Sequence, residues 1–160
     1  MSLFILVIFE KLQSVAFAKG FRFVAINRRP FAGSTPFNSE EINLIVNVND
    51  DAEKRAAFIE ARGHEYAFFI DIFAQKFGLP PISDDGKIGG SVVLGWSMGS
   101  LYAAATIAYA PTLPVDLRFR LAQNVRALVV YGESFSFYCP GNFMILVFRP
   151  SSNRFWSSVS

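Results

Sequence analysis

Apolar and polar positions along this chain follow two periods, and the switches between them mark out its elements. Residues 9–19 place Leu12, Val15 and Ala16 on one helical face, and Gly20 follows where a helix end favours glycine. The apolar run before Phe9 extends this helix. Residues 21–27 (FRFVAIN) read as a strand, and 28–36 (RRPFAGSTP) as a Pro/Gly/Ser loop. Residues 39–46 hold a short helical turn. Asp50 with Glu53 three residues on forms a capping box, which opens a long helix. Phe58, Ile59, Tyr66, Phe69, Ile70, Phe73 and Phe77 give that helix a broad apolar stripe, and Gly78-Leu79-Pro80-Pro81 ends it. A buried strand over 91–94 (SVVL), a helix to about Tyr109 and a strand over 125–131 (VRALVVY) follow. Residues 143–148 (FMILVF) suit a core strand or a helix end. No internal repeat is present. Short all-apolar strands alternating with helices predict an α/β fold, with a short, mostly parallel sheet flanked by helices.

Composition narrows the partners. The chain has 160 residues, enough for one domain with a real core. It is 52% hydrophobic with 18 Phe, and only 18% charged, which suits a sheet covered on both faces. A net charge of +2 points to no charged partner, and nucleic acid is not expected. Arg118, Arg120 and Arg126 read as a solvated rim around a turn. The single cysteine, Cys139, excludes an internal disulfide and offers no metal cluster, so no metal is expected. It is compatible with a reduced, cytoplasmic compartment. Neither 3–9 nor 143–148 approaches the ~20 residues of a membrane span, and no signal peptide is evident, so membrane contact is not expected. There is no Gly-x-Gly-x-x-Gly and no Gly-Lys-Ser/Thr, so no nucleotide cofactor is expected.

The chemistry is concentrated in Gly95-Trp96-Ser97-Met98-Gly99. This Gly-x-Ser-x-Gly stands between a predicted strand and a predicted helix. At a turn that tight, small residues two positions either side of the serine let strand and helix cross closely. The Ser97 hydroxyl is then a candidate nucleophile. The Met98 backbone N–H, at a helix N-terminus, is a candidate donor to an oxyanion. The plainer reading is a glycine-rich turn with an incidental serine.

These motifs in order, over about residues 9–133, resemble the α/β-hydrolase superfamily. FRFVAINRRPFAGST is similar to the family's fourth strand and the turn after it. Gly33-Ser34 matches best, while Asn27 and Pro30 replace the commoner Asp and Gly. The 91–94 strand resembles strand five, and VRALVVYGE strand six. The resemblance implies a partial α/β-hydrolase core over 1–133 with an irregular tail over 134–160. It also implies an esterase or acyl hydrolase acting on a small ester or acyl substrate, with Ser97 as nucleophile and no cofactor.

The family triad runs Ser, then Asp or Glu, then His. Here the only histidine, His64, precedes the serine and lies within the long helix, about 20 Å from the expected active edge. Glu133 is the one candidate acid, and an exposed loop carboxylate is the alternative reading. The upstream oxyanion loop and strands seven and eight have no counterparts. Strand three is missing as well, and its absence is expected either to force the strands beside it to pair directly or to leave a gap. The chain therefore reads as an incomplete, inactive hydrolase, or alternatively as a non-catalytic domain keeping the fold for binding.

Overall fold

A computed structural model describes residues 3–31, 33–46, 52–131 and 143–148. In chain order the elements are α1 (Leu3–Ala18), β1 (Arg22–Ile26), α2 (Ser39–Val46), α3 (Ala52–Phe77), β2 (Ser91–Trp96), α4 (Met98–Ala108), α5 (Val115–Asn124), β3 (Val125–Tyr131) and β4 (Phe143–Phe148). A single 3-10 turn, Ala110–Thr112, joins α4 to α5. The result is a small α/β fold.

The four strands form one sheet in the order β1-β4-β2-β3. β2 and β3 are parallel, and β4 is antiparallel to both β1 and β2. The sheet is thus mixed, with one parallel pairing and two antiparallel ones, and not mostly parallel in its pairings. Strands β1 and β2 neither pair directly nor leave a gap. Ile26 and Gly95 share Met144 as partner, so β1 and β2 lie two strand spacings apart, about 10 Å. A segment from the end of the chain fills that place, so this part of the expected irregular tail is a regular strand.

Period-two alternation sorts the side chains of β1 and β2 to two faces. Phe23, Ala25, Leu94 and Trp96 pack on Phe9 of α1. Val24, Ile26 and Val93 face the main core, built with Phe58, Tyr66 and Ile70 of α3, Tyr102 and Ala103 of α4, and Leu117 and Leu121 of α5. Among the described side chains of α1, Phe9 is buried; Leu12 and Val15, read as its inner face, are 49% and 59% exposed. In α3 the apolar stripe includes charged positions, since Arg62 and Asp71 are also buried. Asp50 and its capping box lie outside the described residues. Edge strand β3 leaves Val129, Val130 and Tyr131 exposed.

Helix α5 was not legible as a helix; Arg118 and Arg126 are exposed, as a solvated rim would have them, but Arg120 is also paired. Arg120 donates to both carboxylate oxygens of the buried Asp71 at 2.8 and 2.9 Å, tying α5 to α3. These bonds hold the Asp71 carboxyl below its ordinary range, against the opposing effect of burial. Arg126 donates to the carbonyls of Gly86, Ile88 and Gly89 and so fastens the loop that leads into β2.

Candidate functional site

Ser97 stands between the last residue of β2 and the first of α4, with φ 55° and ψ −129°. It is the one non-glycine residue with positive φ among the described residues. A serine in this region carries strain of about 1–3 kcal/mol that the surroundings must hold. Three contacts do so. The Ser97 N–H extends the ladder to the Tyr131 carbonyl at 3.0 Å, and the Ser100 N–H closes the turn on the Ser97 carbonyl at 2.9 Å. The buried Ser100 hydroxyl donates to the Gly95 carbonyl at 3.0 Å. Gly95 is required by space, because a Cβ there would lie 2.5 Å from Ser100 Cα. Ser97 is 6% exposed, and its side chain makes no capping bond to the helix. Met98 opens α4, where the helix pattern leaves its backbone N–H without an acceptor.

His64 is engaged elsewhere. Its Nε2 is 2.8 Å from Thr112 Oγ1, and Thr112 in turn donates to Glu60 at 2.9 Å. Thr112 lies past the far end of α4, whose eleven residues span about 16 Å from the Ser97 end. The structure therefore does not bring His64 to Ser97. Glu133 lies outside the described residues. Among the described residues, no group of His, Cys, Asp and Glu could hold a metal ion, and no helix is long and apolar enough to cross a membrane.

A second arrangement, unforeseen in the sequence, occupies the carboxyl end of β1. A cavity of about 300 Å³ opens there between the 27–34 loop, α3 and α4. Ser97 does not line it. Two of its lining residues are held by Glu41, which accepts from Arg29 at 2.5 and 2.9 Å and from Arg62 at 2.7 Å. Glu65 lies 3.2 Å from Arg62 and 3.5 Å from Arg29. Asn38 and Glu41 cap α2 reciprocally: the Asn38 N–H donates to Glu41 at 2.9 Å, and the Glu41 N–H to Asn38 Oδ1 at 2.8 Å. The Asn38-x-x-Glu41 spacing was the one sequence signal for this corner.

Arg28 differs from its neighbours. It makes no ion pair among the described residues. Its guanidinium stacks over Phe31 at 4.7 Å and Tyr102 at 5.4 Å, and its Nε is buried without a hydrogen-bond partner. Tyr66 and Tyr102 stack with ring centroids 6.1 Å apart. Burial pushes both phenols up, with Arg28 opposing, so both remain protonated donors at neutral pH.

The Glu41 contacts make stability depend on acid. Burial raises this carboxyl, but the Asn38 N–H and the two arginines outweigh it and lower the pKa from 4.5 to about 2. A carboxyl depressed in the folded state contributes stability that is complete above its unfolded pKa and is lost as pH falls through the folded one. The urea midpoint is therefore expected to fall as pH drops from about 4.5 towards 2, with a shallower fall in Glu41→Gln. Equal slopes for parent and variant would show that Glu41 is not held by these partners.

No protein-family model matches the chain, and neither does any curated protein or solved structure.

Proposed function

We propose that this chain is an α/β-hydrolase-type domain of the esterase or acyl hydrolase kind, with Ser97 at the nucleophile position and without catalytic competence on its own. The observation that carries the reading is the Ser97 backbone at φ 55°, ψ −129°, between a parallel-paired strand and a helix. Strain of this kind persists where a side chain must be presented. A turn that only connected two elements would be easier to build with glycine, at no such cost.

Competence is withheld for a chemical reason. A serine hydroxyl at neutral pH is a weak nucleophile unless a base within about 3 Å takes its proton. His64, the chain's only imidazole, is bonded to Thr112. A general base contributes 10²–10⁴-fold and each oxyanion donor about 3 kcal/mol. The Met98 N–H would supply one such donor.

The purified chain is therefore expected to show no serine-dependent hydrolysis of a short-chain aryl ester. A small fluorophosphonate is expected to label Ser97 slowly and only when imidazole is added to replace the missing base. Intact-mass measurement of parent and Ser97→Ala decides the matter. Ester turnover by the parent that vanishes in Ser97→Ala would overturn the incompetent state. Absence of any Ser97 adduct, with or without imidazole, would overturn the nucleophile and leave the alternative, a non-catalytic binding domain.

A further inference from the structure

The structure assigns a ligand class to the cavity at the end of β1: we propose that it binds a small organic carboxylate, with the charge held by Arg28 and the Tyr66 hydroxyl. The inference goes beyond the Ser97 reading and does not depend on it, since Ser97 is not part of the cavity wall.

Charge accounting isolates Arg28. Of the three guanidinium groups lining the cavity, those of Arg29 and Arg62 are already matched by Glu41 and Glu65. Arg28 keeps a full positive charge with no carboxylate partner among the described residues. Its guanidinium lies over the rings of Phe31 and Tyr102, and its Nε is buried without a hydrogen bond. Its Nη1 donates to the Arg29 carbonyl at 3.0 Å, and its Nη2, which makes no hydrogen bond among the described residues and is not enclosed, is open to an acceptor entering the cavity. A planar guanidinium suits the paired oxygens of a carboxylate.

Tyr66 is the second, independent pointer. The residue is only 4% exposed and lines the cavity, yet its hydroxyl makes no hydrogen bond among the described residues. A buried phenol ordinarily finds a partner. Here the hydroxyl is not among the fully enclosed atoms that lack one, so its access is to the cavity.

The remaining wall selects the rest of the ligand. Ile26, Phe69 and the Tyr102 ring offer an apolar surface for a short aliphatic or aromatic body. Glu65 lines the same space and opposes a second negative charge. One uncommitted cation facing one carboxylate favours a monoanion over a phosphate dianion. The volume of about 300 Å³ sits at the lower end of small-ligand pockets.

The test is calorimetric titration of the whole chain with benzoate, with its neutral isostere benzamide, and with inorganic phosphate. Benzoate is expected to bind saturably, and benzamide at least ~10-fold more weakly, as loss of a charge-assisted bond implies. Equimolar phosphate is expected to leave benzoate binding unchanged. Arg28→Gln is expected to weaken benzoate by ~10-fold or more and the isosteric Tyr66→Phe by ~5-fold, while Ser97→Ala binds as the parent does. Far-UV circular dichroism checks each variant. If Arg28→Gln does not fold, Tyr66→Phe decides alone. The assignment is overturned by absence of saturable benzoate binding, by equal binding of benzamide, or by displacement with equimolar phosphate. Unchanged affinity in Tyr66→Phe or in a folded Arg28→Gln overturns it too.

Discussion

Gly95→Ala is expected to destabilise the fold by about 3 kcal/mol, at the upper end of ordinary overpacking. The added Cβ would lie 2.5 Å from Ser100 Cα, 2.7 Å from the Gly99 carbonyl oxygen and 2.8 Å from Ser100 N. All three are backbone atoms, so no rotamer change relieves the contact. Either α4 withdraws from β2 or the turn reopens. Withdrawal breaks the Ser100 hydroxyl bond to Gly95 and loosens α4, which carries Tyr102 and Ala103 in the main core. Opening the turn releases Ser97 from φ 55°. For a chain of this size about 3 kcal/mol corresponds to a fall in Tm of roughly 6–12 °C. Urea denaturation of parent and variant measures it. A difference below about 0.5 kcal/mol, the scatter of neutral surface changes, would mean that strand and helix do not cross at this distance.

Gly63→Ala is the second large effect, and its sign runs against helix propensity. Alanine in a helix interior is favoured over glycine by about 1 kcal/mol. At Gly63 the new Cβ would sit 2.7 Å from the carbonyl carbon and oxygen of Ala105 and 3.1 Å from its Cβ. Gly63 is where α3 and α4 approach backbone to backbone, three residues before the Tyr66–Tyr102 stack. Forcing the helices apart there is expected to cost about 3 kcal/mol, offset by the propensity gain, for a net loss of about 2 kcal/mol. The reverse change two residues earlier supplies the contrast. Ala61 is exposed on the same helix, and Ala61→Gly is expected to cost the ordinary ~1 kcal/mol of propensity alone. A rise in Tm for Gly63→Ala would refute the close crossing. A fall at both positions, in opposite chemical directions and larger at Gly63, would establish it.

Much of the local structure was legible in the residues, because local pattern decides it. The strand runs of β1 and β2 and the broad apolar stripe of α3 each need only the local pattern of strand and helix to be read. The Ser97 turn belongs to the same class. Gly-x-Ser-x-Gly between an apolar strand and a small-residue helix is a local statement about how closely two elements cross, and the glycines stand where the side-chain space is missing. Helix α5 escaped this reading because its arginines outweigh its two buried leucines, Leu117 and Leu121, and because Arg120 is paired across to Asp71 on another element.

What the residues alone determined was therefore most of the elements, α5 excepted, the serine at a strand-to-helix turn and the lack of an imidazole after that serine. Tertiary structure decided the order of the sheet, since placing 143–148 between β1 and β2 depends on a non-local pairing that no period encodes. It decided that His64 spends its ring nitrogen on Thr112, forty-eight residues away in sequence. It also built the cavity at the end of β1, where Arg28, Tyr66 and Tyr102 arrive from a loop and two helices. Each of those side chains is unremarkable in its own segment. Only their convergence leaves Arg28 without a carboxylate and the Tyr66 hydroxyl without an acceptor among the described residues, because the neighbouring acids are already held by Arg29 and Arg62.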